Sequence, residues 1–235
     1  MSERGIVVVD DVAGAAAERI GAAVRHGADI VLSGGSTPRA AHERVAREDL
    51  DWSRTRLWFG DERAVAPDHE HSNYLMARQS LLDRIGGAQP EVHRIKGELG
   101  HEAAAAEYEC ELDTAFGAGR PPRMDLLLLG LGPDAHTASL FPGDGALGER
   151  ERMAVGVGTP GMAPLVSRVT LTLGVLNAAH EVVFLISGED KAEAVACAFG
   201  DVPDPSAPAG LVRPDPGTLT VLLDAPAASL LRNRG

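Results

Sequence analysis

Residues 124–143 read MDLLLLGLGPDAHTASLFPG. Leu126–Leu129 is a continuous apolar run without alternation, the pattern of a strand buried on both faces of a parallel sheet. Gly130 and Gly132 end the run and let the backbone turn sharply. Asp134, His136, Thr137 and Ser139 follow at once. In open α/β sheets ligands bind just past the carboxyl ends of the strands. An imidazole two residues from a carboxylate at that point is therefore a catalytic candidate. The bland alternative is a turn in which Asp134 caps the backbone and His136 is solvated.

Working outward from this strand, the chain alternates strands and helices. On the N-terminal side, strands are predicted over Ile6–Val9, Ile30–Leu32 and Arg56–Phe59, with a short edge strand over Val92–Ile95. Helices are predicted over Ala15–Arg25, capped by Asp10 or Asp11, near Ala40–Arg47, over Asn73–Ile85 and over His101–Phe116. On the C-terminal side, Met153–Val157, Val169–Leu173, Val182–Ile186 and Leu219–Leu223 read as strands. A short helical link is predicted over Gly174–Ala179, a helix from Ser187 to about Phe199, and a last helix over Pro226–Leu231. Gly158–Val166 and the five-proline stretch Asp201–Pro216 read as loops. This order predicts an α/β fold: a three-layer αβα architecture around a mostly parallel, doubly wound, Rossmann-like sheet with right-handed crossovers.

The 235 residues, with no repeat, low-complexity tail or linker, suit a single domain over 1–235. A chain of this length buries roughly 70% of its unfolded surface and needs neither a metal nor a disulfide for stability. The net charge of −12 disfavours nucleic acid and anionic membranes as partners. A local cationic pocket for a small anion remains compatible with it. Two cysteines, Cys110 and Cys197, lack metal-ligand spacing and read as buried small hydrophobes in a reducing compartment. The start, MSERGIVVVD, has no signal-peptide apolar core, and no apolar run of about 18 residues occurs. A cytoplasmic location is expected.

Four further pieces carry candidate chemistry. In IVLSGGSTP (30–38), Gly34 and Gly35 let backbone N–H groups approach an oxyanion, Ser36 and Thr37 add hydroxyls, and Thr37 before Pro38 is the expected N-cap. This is neither a Walker A loop nor GxGxxG, so nucleotide binding is not indicated. Gly60-Asp61-Glu62-Arg63 ends an apolar strand. Its charges read as a solvated loop, or as Asp61 holding substrate hydroxyls or carrying a proton while Arg63 neutralises a phosphate. Arg168 precedes a strand. Lys191 stands in the first turn of a helix, against the dipole, where an adjacent anion would favour it and where Glu189 and Asp190 otherwise offset it. His69 and His71 lack a third ligand nearby in sequence, so no metal site is expected.

These motifs resemble the 6-phosphogluconolactonases of the glucosamine/galactosamine-6-phosphate isomerase superfamily. The resemblance covers nearly the whole chain. It rests on SGGSTP (33–38), GDER (60–63) followed by Ser72-Asn73, LLGLGPDAHTASLFPG (128–143), RVTLTLGVLNAA (168–179) and SGEDKA (187–192). It implies hydrolysis of 6-phospho-D-glucono-1,5-lactone to 6-phosphogluconate, the second step of the oxidative pentose phosphate pathway. No organic cofactor and no obligatory metal are implied. The expected partner is the small sugar-phosphate lactone, and the expected assembly a monomer or small homo-oligomer. On this reading His136, with Asp134 or Asp61 orienting it or the substrate, is the base. The expected phosphate donors are Gly34, Gly35, Ser36 and Thr37, with Arg63, Arg168 and Lys191 as cations. Backbone N–H groups around Gly130–Gly132 are the candidates for holding an oxyanion. Two departures matter. The family pattern has Gly-His where this chain has Ala135-His136, and positive φ there costs alanine roughly 1 kcal/mol. The aminosugar-phosphate branch has a glutamate five residues after the histidine, where this chain has Phe141.

Overall fold

The computed structural model describes residues 3–158, 160 and 163–231. In chain order it contains β1 (Glu3–Val8), α1 (Val12–His26), β2 (Asp29–Leu32), α2 (Ser36–Val45), β3 (Arg56–Phe59), β4 (Asp61–Arg63), α3 (Asn73–Ser80), β5 (Glu91–Val92), α4 (His101–Phe116), β6 (Leu126–Leu129), β7 (Ala154–Val157), β8 (Arg168–Leu171), α5 (Leu173–Leu176), β9 (Glu181–Ile186), α6 (Ala192–Phe199) and β10 (Thr218–Leu223). Of the predicted loop over Gly158–Val166, residues 159, 161 and 162 lie outside the described residues.

Seven strands form one sheet in the order β1-β10-β9-β6-β2-β3-β5, and all its pairings are parallel. The order reverses between β2 and β6: later strands spread to one side through β3 and β5, and to the other through β9 and β10. That reversal opens a crevice beyond the carboxyl ends of β2 and β6. Leu126–Leu129 of β6 is at most 2% exposed, as its unbroken apolar run requires. Helices α1, α2 and α3 pack in succession beside this sheet, while α4 lies against β7 and β8. Tyr108 of α4 accepts from the Phe59 N–H and donates to the Phe59 carbonyl, tying α4 to β3.

A second, antiparallel sheet has the order β4-β8-β7. Gly60 joins the two sheets: its N–H donates to Leu32 O of β2 and its carbonyl accepts from Leu171 N of β8. The charged run Asp61–Arg63, read as a possible solvated loop, is therefore a paired strand, and Asp61 and Glu62 are buried.

Other local expectations are corrected. The helix predicted over Asn73–Ile85 stops at Ser80, whose hydroxyl turns back to the Met76 carbonyl at 2.7 Å; a 3₁₀ turn follows over Leu82–Arg84. Residues 226–231 make successive turns instead of a helix, with Asp224 accepting from Ala227 N and Gly188 N. Cys110 is exposed and Cys197 half-buried; both are free. Cys110 lies off the face of α4 that buries Ala104, Ala105, Tyr108 and Leu112. Among the described residues no helix is long and apolar enough to cross a membrane.

Candidate active site

The crevice at the reversal is a cavity of about 290 Å³. After β2 it is lined by Ser33, Gly34 and Gly35; after β6 by Gly130–Pro133 and His136–Ala138. β4 contributes Asp61 and Arg63, β8 contributes Arg168, and Asn73 and Lys191 stand at the starts of α3 and α6. Seven of the residues singled out from the sequence thus come from five separate segments to one space: Gly34, Gly35, Asp61, Arg63, His136, Arg168 and Lys191.

The turn after β6 fixes the imidazole. His136 Nδ1 lies 2.5 Å from Asp134 Oδ1, and the His136 backbone N–H donates to the same oxygen at 3.1 Å. A carboxylate accepting from Nδ1 leaves Nε2 as the nitrogen with a free lone pair. The ring rests on Gly132, where a Cβ would meet Nδ1 at 2.0 Å, so only glycine permits this approach. The Gly132 N–H itself donates to His136 O at 2.8 Å. It closes the turn, so this one of the N–H groups around Gly130–Gly132 is not free to hold an oxyanion. Ala135 adopts φ 63° and Ala138 φ 48°. The left-handed conformation foreseen at Ala135 is present.

Asp61 is clamped rather than free. Its Oδ2 accepts from Ser139 Oγ at 2.7 Å and its Oδ1 from Asn73 Nδ2 at 3.0 Å. Neither oxygen touches His136 by a hydrogen bond, so Asp134 alone of the two aspartates holds the imidazole. Ser139 is fully buried and its hydroxyl is committed to Asp61. Glu62 faces away from the cavity into the start of α3. It accepts from the backbone N–H groups of Arg63, Asn73 and Tyr74 and from Ser72 Oγ. Burial pushes its carboxyl up, partly offset by those four donors.

Three cations share the cavity with His136. Arg168 is 4% exposed; among the described residues it makes one long hydrogen bond, to Pro164 O at 3.4 Å, and its Nε has no partner. Arg63 donates from Nη1 to His71 O at 2.6 Å, and its Nε is likewise buried without a partner. Burial and the Arg63 guanidinium lower Arg168 below the ordinary arginine value, with Asp61 and Glu62 opposing. Lys191 is 3.6 Å from Asp190, its closest ion pair. A buried guanidinium (Arg168), a half-buried one (Arg63) and a nearby ammonium, with spare donors, form a receptor for an anion with several acceptor oxygens.

Two expectations at the glycine loop are corrected. Gly35, at φ 112°, is the N-cap of α2, with no side-chain cap; Thr37 lies inside the helix. Glycine takes this conformation without cost and leaves the first-turn N–H groups uncapped. The side chains of Ser36 and Thr37 line a neighbouring hollow with Asp10, Asp11, Ser187 and Asp224, not the cavity holding His136. His69 and His71 pair with each other through His71 N and His69 Nδ1. Among the described residues no group of three His, Cys, Asp or Glu side chains is arranged to hold a metal ion. The clamp formed by Asn73 and Ser139 was not foreseen. Its only sequence trace is a Ser-Asn pair opening a helix and a serine three residues after His136.

The family described as glucosamine-6-phosphate isomerases/6-phosphogluconolactonase matches residues 5–221. A 6-phosphogluconolactonase from Nostoc is 42% identical over 206 residues, covering 86% of this chain and 84% of that protein. The human 6-phosphogluconolactonase is 43% identical over 179 residues, covering 76% of this chain and 69% of that one. The solved 6-phosphogluconolactonase from Trypanosoma cruzi superposes with a TM-score of 0.87 at 30% identity, over 99% of each chain.

Proposed function

The chain belongs to the glucosamine-6-phosphate isomerase/6-phosphogluconolactonase family, and we propose that its cavity hydrolyses 6-phospho-D-glucono-1,5-lactone to 6-phospho-D-gluconate, the second step of the oxidative pentose phosphate pathway. The observation that carries this reading is a carboxylate-held imidazole and two guanidiniums with an unpartnered Nε lining one cavity. The substrate has the same two ends: an electrophilic lactone carbonyl and a phosphate.

In the mechanism, Arg168, Arg63 and Lys191 take the phosphate, with the backbone of Gly34 and Gly35 beside them. Anchoring there lets remote binding energy position the carbonyl. His136 Nε2 removes a proton from water as the water oxygen attacks the carbonyl carbon. The tetrahedral intermediate collapses with cleavage of the bond from that carbon to the ring oxygen, and the imidazolium returns its proton to the leaving oxygen. Asp134 stabilises the imidazolium through Nδ1–H. Asp61, its two oxygens already accepting one hydrogen bond each, keeps lone pairs for substrate hydroxyls. Ser139 is no nucleophile, because its hydroxyl is buried on Asp61, and the scheme needs no acyl-enzyme and no cofactor.

Residues 137–143 hold no carboxylate, which supports hydrolysis over aminosugar-phosphate deamination. The enzyme acts in the cytoplasm, as a monomer or small homo-oligomer, on a small sugar phosphate; the net charge of −12 supports a partner other than nucleic acid or membrane.

The test is Arg168→Ala. Losing a charge-assisted hydrogen bond costs about 1.5–3 kcal/mol, or about 10–150-fold in affinity. The loss is expected for phosphorylated ligands and not for unphosphorylated lactones, read from KM and from competition by 6-phosphogluconate. Equal effects on both would remove Arg168 from phosphate recognition.

A further inference from the structure

We infer that Phe141 is a positioning residue that couples the grip on the phosphate to the orientation of the base. The inference rests on the lactonase reading above. Phe141 is not among the residues lining the cavity but contacts two that are, His136 and Arg168. Its ring centroid is 4.5 Å from that of His136, with the planes at 40°. The Arg168 guanidinium carbon lies 5.6 Å from the centroid of the same ring. A tight turn, with Leu140 N donating to Thr137 O at 2.9 Å and Ala138 at φ 48°, brings Phe141 back to His136.

Among the described residues, neither partner packs against another ring as it does against Phe141. Among the described residues Arg168 has one long hydrogen bond and an Nε without a partner, so the face of a buried ring steadies the guanidinium against the repulsion of Arg63. The Asp134 hydrogen bond lies in the imidazole plane and leaves rotation about it open. Packing of the ring against Phe141, with Gly132 also in contact, opposes that rotation. A single buried side chain, 8% exposed, therefore transmits the position of the phosphate cation to the base.

The experiment is steady-state turnover of 6-phosphogluconolactone by Phe141→Met, which keeps apolar bulk and loses the ring, and by Phe141→Tyr, which keeps the ring. Both are measured in the native and Arg168→Ala backgrounds, with thermal melting as a check on folding. A cation–π contact of this burial is worth about 2- to 30-fold in affinity, so Phe141→Met raises KM by that factor and also lowers kcat, while Phe141→Tyr restores both. In the Arg168→Ala background the Met substitution lowers kcat but no longer moves KM. A fall in kcat at unchanged KM, identical in both backgrounds, would overturn the inference and leave Phe141 a packing residue. Should Phe141→Met fail to fold, Phe141→Leu is read by the same criteria. Absence of turnover by the native enzyme would instead overturn the lactonase reading itself.

Discussion

The imidazole of His136 is held in place before any substrate arrives, by Asp134 at Nδ1 and by contact with the Gly132 backbone. The residue between them carries a conflict. Ala135 sits at φ 63°, which costs an alanine roughly 1–2 kcal/mol. Its methyl is 1% exposed, and burying one such group contributes about 0.8 kcal/mol. The two terms oppose each other and leave a residual of about 1 kcal/mol or less. Ala135→Gly is therefore expected to change unfolding free energy by less than about 1 kcal/mol and to leave kcat/KM unchanged, as checked by urea denaturation and turnover. A large loss of turnover in the folded variant would mean that the methyl itself sets the ring. At this scale the Asp134–His136 pair was legible in the sequence because both partners lie in one turn after one strand. The Ser139–Asp61 bond was not, because its partners are 78 positions apart and meet only through the tertiary fold.

The apolar runs of β6 and β9 announce themselves as strands because a parallel strand covered on both faces needs no polar alternation. The three-residue strand β4 has no such signature: its residues are Asp, Glu and Arg, and it is a strand only because β8 pairs with it. The same blindness hid the role of Glu62. Its carboxylate takes three backbone N–H groups and the Ser72 hydroxyl at the start of α3, and so sets the position of Asn73, which clamps Asp61. Glu62→Gln puts an amide NH₂ where an acceptor is required and leaves buried donors unmet, at about 1–3 kcal/mol. The expected outcome is a lower melting temperature together with a higher KM, since Asp61 loses its support. A variant with native melting temperature and native KM would show that α3 is placed without Glu62. The helix start at Gly35 failed to follow the predicted Thr37 cap for a related reason: a positive-φ glycine ended the turn two residues earlier than side-chain capping would.

At the scale of the molecule, a chain of net charge −12 gathers Arg63, Arg168 and Lys191 at one point where the strand order reverses. The α/β class and the crevice followed from the alternation of elements. The second sheet did not, because its strands are short and partly polar. Global stability has its own titrating group. His42 of α2 is fully buried, with Nδ1 on Ser80 Oγ of α3 at 3.2 Å, and burial pushes it down from 6.5 to about 4. Between these values the unfolded chain binds the proton and the folded one does not. Stability is thus complete above about pH 6.5 and declines as pH falls toward 4, by about 3 kcal/mol in total. Urea unfolding at pH 7 and pH 5 reads this slope, and His42→Gln is expected to flatten it; an unchanged slope in that variant would assign it to other groups. The central claim, that a carboxylate-held imidazole opens a lactone whose phosphate is gripped by cations of the same cavity, has one most direct measurement. Freshly generated 6-phosphogluconolactone is turned over by the native enzyme and by His136→Ala, each corrected for spontaneous hydrolysis. Rapid native turnover and a fall of about 10²–10⁴-fold in kcat for the variant, with binding of 6-phosphogluconate retained, are predicted; near-native kcat in His136→Ala would contradict the account.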